Sequence, residues 1–93
     1  MDQIRARNIL TQMWTLLFAA REGKLTENEI AWLREFCDEI KDGIPGFDTF
    51  NSHAESVCRS IASLTELEEP DDDYVIELLL KLSQLRELLD RPS

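Results

Sequence analysis

Glycine and proline are scarce in this chain, three of each in 93 residues, and valine occurs only twice. So few breakers and so little valine remove the turn density and strand chemistry of a sandwich or barrel, and no substantial strand is expected. No apolar run approaches the roughly 20 residues needed to cross a bilayer. The opening residues, Met1 to Arg7, have neither the cationic start nor the unbroken apolar stretch of a secretory leader, which points to a cytoplasmic protein. Cations are also short, ten against nineteen acids, for a formal charge of −9. A field of that sign repels phosphate backbones and acidic membrane surfaces, so neither nucleic acid nor membrane is expected as a partner.

Two cysteines, Cys37 and Cys58, and one histidine, His53, complete the short inventory of reactive groups. The cysteines lack metal-ligand spacing and sit on apolar faces, which predicts buried, reduced thiols. His53 has no Ser, Cys or acid at a useful spacing, and reads as a surface residue near a helix start. There is no phosphate-cradling glycine loop, paired-histidine metal motif or nucleophile turn. The expectation is a non-enzymatic chain without cofactor or metal.

What the chain has in abundance is leucine at helical intervals. Hydrophobic residues make up 43% and charged residues 31%, a globular rather than a disordered balance. Ile9, Leu10, Met13, Trp14, Leu16, Leu17, Phe18 and Ala20 give a first helix, about residues 2–21, with a wide apolar stripe. Thr26 followed by Glu29 is a capping box, with Leu25 and Ile30 as staple, and starts a second helix over 26–42. Its stripe is Ile30, Leu33, Phe36, Cys37 and Ile40, closed by Gly43, with Trp32 beside the stripe.

Asp48 or Ser52 caps a third helix, ending near 66, that turns Ala54, Val57, Cys58, Ile61 and Leu64 inward. Pro70 separates it from a fourth, over 71–90, capped by Asp71 and carrying Val75, Leu78, Leu79, Leu82, Leu85 and Leu89. Four such helices in one domain over 1–93 predict an all-α, compact antiparallel four-helix bundle. Leu16, Ile76 and Leu80 are surplus to one small core, and would serve a homodimer or a partner helix.

The acids are unevenly placed. Residues 27–80 hold fifteen of them against Arg34, Lys41 and Arg59, and six lie between Glu66 and Asp73. Asp71, Asp72 and Asp73 suit a helix N-terminus, whereas Asp38, Glu39, Asp42, Glu66, Glu68 and Glu69 close helices, where the dipole disfavours negative charge. That placement suggests a surface kept for a basic partner. The spacing in 66–73 does not match a calcium loop.

The stretch Leu16 to Phe36, with its alanine pair, Glu22-Gly23-Lys24-Leu25-Thr26, Glu29 and Leu33, resembles the helix-turn-helix unit of tellurite-resistance TerB-type domains. It spans about a quarter of the chain, Arg21 stands where an acidic turn residue would complete the likeness, and no function is carried over. The functional expectation is a small acidic inhibitor of the immunity, antitoxin or phage-inhibitor kind. Asp38, Glu39, Asp42, Glu66, Glu68 and Glu69 would dock on a basic surface of a partner protein, with Trp32 as anchor. Reversing Asp38, Glu39 and Asp42 to lysine should then abolish binding without unfolding the chain. The competing expectation is a structural subunit or chaperone that dimerises or holds a partner helix through apolar surfaces of the first and fourth helices.

Overall fold

The computed structural model describes residues 2–21, 23, 25–66 and 71–90. Among them the chain forms four helices and no strand: α1 (Gln3–Ala20), α2 (Glu27–Lys41), α3 (Asp48–Glu66) and α4 (Asp72–Asp90). Each helix packs on two neighbours, α1 and α3 both lying against α2 and α4, in an antiparallel four-helix bundle. Side-chain bonds fix the directions. Gln3 Nε2 donates to the Leu89 carbonyl at 2.6 Å, joining the start of α1 to the end of α4, and Tyr74 Oη donates to the Ser60 carbonyl at 2.9 Å.

The helix starts follow from capping chemistry. Asp2 accepts the Arg5 amide at 2.7 Å. At α2, Thr26 Oγ1 accepts the Glu29 amide at 3.2 Å while the Glu29 carboxylate accepts the Thr26 amide at 3.0 Å. Two otherwise orphaned donors are thereby satisfied reciprocally. α2 ends where Gly43 takes a φ of +77°, a conformation that side-chain-bearing residues rarely adopt.

The α2–α3 turn is locked by Asn51. Its Oδ1 accepts the Ile44 amide at 2.9 Å and its Nδ2 donates to the Ile44 carbonyl at 3.0 Å. α3 therefore begins at Asp48, and Ser52 lies inside it instead of capping it. The early start turns Phe50, absent from the expected stripe, into the core at 1% exposure.

That core contains no buried polar side chain among the described residues. Ile9, Met13, Leu17, Leu33, Ile40, Phe50, Ile61, Leu64, Leu78, Leu82 and Leu85 interdigitate in it. Each contributes about 1.5–3 kcal/mol of apolar burial, opposed by the entropy of ordering the chain.

The wide α1 stripe expected from sequence divides in two. Ala6, Ile9, Leu10, Met13, Leu17 and Ala20 face the core, but Trp14 and Phe18 point outward, 38% and 41% exposed. Each follows a core residue by one position, and one position rotates a side chain by about 100° around the helix. Of the three surplus residues, Leu80 is 60% exposed, whereas Leu16 packs partly against the core and Ile76 is half-buried.

Both cysteines are free thiols in the core between α2 and α3. Cys58 Sγ lies 3.7 Å from the Cys37 carbonyl, and its hydrogen bonding to Cys37, reinforced by burial, pushes the Cys58 thiol far above the ordinary cysteine range. The same hydrogen bond holds the Cys37 thiol below that range, so the protection of Cys37 rests on its burial, with 6% of the residue exposed. Native protein at pH 8 should therefore resist a thiol reagent that modifies both cysteines once urea unfolds it. Rapid double labelling without denaturant contradicts this placement.

Candidate protein-interaction face

The acidic residues nominated from sequence do not form one surface. Asp38, Glu39 and Asp42 are exposed near the C-terminus of α2, whereas Glu66 is exposed at the C-terminus of α3. Because α2 and α3 run antiparallel, these groups occupy opposite ends of the bundle, about 28 Å apart along a 19-residue helix. Glu68 and Glu69 lie outside the described residues.

Glu39 also has a local role. Its carboxylate accepts two hydrogen bonds from Arg5, from Nε at 3.0 Å and Nη2 at 3.1 Å, which tie the start of α1 to the end of α2. This bidentate geometry, followed by the Glu39 charge, raises the Arg5 pKa above its already high ordinary value. Lysine at position 39 would set two cations side by side, so the triple reversal tests stability as well as binding. Asp38 and Asp42 make no ion pair among the described residues and remain the informative positions.

The surface that does converge lies on α1. From Asn8 to Ala20 the chain has no charged residue, in a protein of which 31% is charged. The outward residues of that stretch are Asn8, Thr11, Gln12, Trp14, Thr15, Phe18 and Ala19. Thr11 and Thr15 each donate their hydroxyl to the carbonyl four residues back, at 3.0 Å, which withdraws those donors from the surface. Trp14 and Phe18 stack with ring centroids 5.0 Å apart, and the Arg21 guanidinium sits 5.7 Å from the Phe18 ring centre. Ile4, 76% exposed, continues the face toward the N-terminus.

Two clefts flank this ridge. Toward α2, Thr11, Gln12, Thr15, Leu16, Trp32 and Phe36 enclose about 410 Å³. Toward α4, Leu10, Thr11, Trp14, Leu82, Ser83 and Arg86 enclose about 300 Å³. Thr11 borders both, so ridge and clefts form one continuous surface with a half-exposed tryptophan in each flank. Trp32, expected from sequence to anchor the acidic surface, lines the cleft between α1 and α2, as does Leu16.

Sequence reading missed the face because Trp14 and Phe18 were assigned to the core stripe. The uncharged run from Asn8 to Ala20 was the available signal, since an ordinary solvated helix face in so acidic a protein would carry charge.

A third cleft, of about 330 Å³ between α3 and α4, is bordered by His53, Ser56, Lys81, Gln84 and Glu87. His53 is exposed at its rim, and no catalytic partner is hydrogen-bonded to it among the described residues. Likewise, no group of three or more His, Cys, Asp or Glu among those residues is placed to hold a metal ion. No described helix is long and apolar enough to cross a membrane. No protein-family model, curated protein or solved structure matches the chain.

Proposed function

We propose that the chain is a non-enzymatic protein-binding module whose binding surface is the outer face of α1 with its two flanking clefts. The observation that supports this reading is the thirteen-residue stretch from Asn8 to Ala20, uncharged in a chain of net charge −9 and displaying Trp14 and Phe18 to solvent. Aromatic side chains exposed beside well-formed clefts are the usual anchors of protein interfaces, and depletion of charge marks the centre of such a patch. The function is then structural or chaperone-like, holding a helix or an apolar surface of another polypeptide.

A second reading keeps the acidic antagonist. It is favoured by Asp38 and Asp42, with Glu35, on the solvent side of α2, where they would meet a basic groove on a target. The two readings separate by substitution. Phe18→Glu places a charge on the uncharged α1 face beside Trp14, and is expected to weaken partner binding at least tenfold with the helical circular dichroism spectrum unchanged. Asp38→Lys with Asp42→Lys should leave it within about twofold. The reverse pattern replaces the apolar-face reading with the acidic one.

A further inference from the structure

We infer that the partner seated on the α1 face is a second copy of this chain, related by a two-fold axis that crosses α1 near Thr11, with the two α1 helices antiparallel. The inference rests on the binding-face reading above and adds the identity and direction of the occupant.

Charge placement is the first reason. At one end of the face stand Arg5 and Arg7, which keep 48% and 45% of their side chains exposed while pairing within the chain with Glu39 and Asp90. At the other end, the antiparallel packing of α1 on α4 places the N-terminus of α4 with its exposed acids Asp71, Asp72 and Asp73. The face thus carries both signs at each end, Arg5 and Arg7 beside Asp2, Glu39 and Asp90 at one and Arg21 beside Asp71, Asp72 and Asp73 at the other, and no charge from Asn8 to Ala20 between them. In a reversed copy Arg7 of each chain approaches Asp71, Asp72 and Asp73 of the other, and a two-fold axis makes that contact twice. A parallel copy would set acids against acids.

The uncharged seam along α1 has the same symmetry. Ile4, Asn8, Thr11, Thr15 and Phe18 follow one another at spacings of four and three, the repeat of a helix–helix seam. Ile4 and Phe18 lie seven residues to either side of Thr11, so the reversed copy brings Ile4 of each chain over Phe18 of the other. Both are large apolar side chains with high exposure in the lone chain.

Contact size is sufficient. An 18-residue helix is about 27 Å long, and with a cleft on each side the face takes up the width of the bundle, whose shorter axes measure 22 and 18 Å. Roughly 1,000 Å² in total would be covered, the lower bound of a specific interface. The contact also leaves Asp38, Asp42 and Glu66 clear of the interface, which limits repulsion between two chains of charge −9.

Sedimentation equilibrium across the micromolar range tests this directly. The wild-type chain should approach twice its 10.8 kDa mass, and Phe18→Glu should remain a monomer of unchanged helicity. Arg7→Glu and Asp72→Arg should each weaken self-association by about tenfold, while an equimolar mixture of the two variants should restore it. That rescue requires the antiparallel pairing, because only then does position 7 of one chain meet position 72 of the other. A wild-type monomer at every concentration, a dimer indifferent to Phe18→Glu, or variants whose mixture gains nothing overturns the inference. If the chain is monomeric yet a different protein binds it and is released by Phe18→Glu, the second copy is excluded while the binding-face reading stands. If Phe18→Glu alters no association at all, both fail.

Discussion

Phe50→Ala is expected to remove about 3–5 kcal/mol of unfolding free energy, the largest single loss available in this fold. The ring is 1% exposed and packs in the core at the first turn of α3. Deleting it forfeits its transfer energy and leaves a cavity that the surrounding helices cannot fully close. A domain of this length has a total stability of about 5–14 kcal/mol, so the loss is a large fraction of the whole. The melting temperature, followed by circular dichroism, should fall by about 15 °C or more. Phe18→Ala is the matched control: the same side chain is 41% exposed there, and in the dilute monomeric chain the change should stay within about 1 kcal/mol, the worth of its stacking on Trp14. Similar losses at the two positions would refute the inward placement of one and the outward placement of the other.

Asn51→Ala should have the next largest effect, about 1–3 kcal/mol. Ile44 is 5% exposed, and both its amide and its carbonyl are paired by the Asn51 side chain. Alanine would leave the Ile44 amide without a partner and reduce the Ile44 carbonyl to its bond from the Phe47 amide at 3.0 Å, in a turn that fixes where α3 begins. Gly43→Ala acts on the same clamp from the other side. A Cβ there would stand 3.1 Å from the Asn51 side-chain amide, on a backbone already at φ +77°. Because both changes disable one device, the double variant should lose clearly less than the sum. Strict additivity in chemical denaturation would show that the turn is not held this way.

The bundle was legible in the sequence because its signals are local. The Thr26–Glu29 box, the Gly43 terminus and the leucine spacing of α4 each report on a few neighbouring residues, and each is present in the structure. Two features depended on contacts that pattern does not encode. Asn51 reads as an unremarkable polar residue until its bonds to Ile44, seven positions earlier, are seen, and without them the start of α3 drifts toward Ser52. The direction of α1 was hidden by an excess of apolar residues, since Trp14 and Phe18 fit a helical stripe as well as Met13 and Leu17 do. Only packing against both α2 and α4 decides which set is covered.

The candidate site was less legible for the same reason. Charge density drew attention to Asp38, Glu39 and Glu66, but antiparallel topology sends the first two and the last to opposite ends, and Arg5 engages Glu39. The uncharged ridge is conspicuous only by its lack of charge. Its meaning emerges when the clefts that contain Trp14 and Trp32 are seen to meet at Thr11.

Footprinting of the bound against the free state would place the interface. Acrylamide quenching of Trp14 and Trp32 reads the α1 face, and carbodiimide labelling of Asp38 and Asp42 reads the acidic face of α2, in the dilute chain and in its complex. Association through α1 predicts that both tryptophans become protected from quenching while both carboxylates label at an unchanged rate. Protected carboxylates beside fully quenchable tryptophans would contradict it.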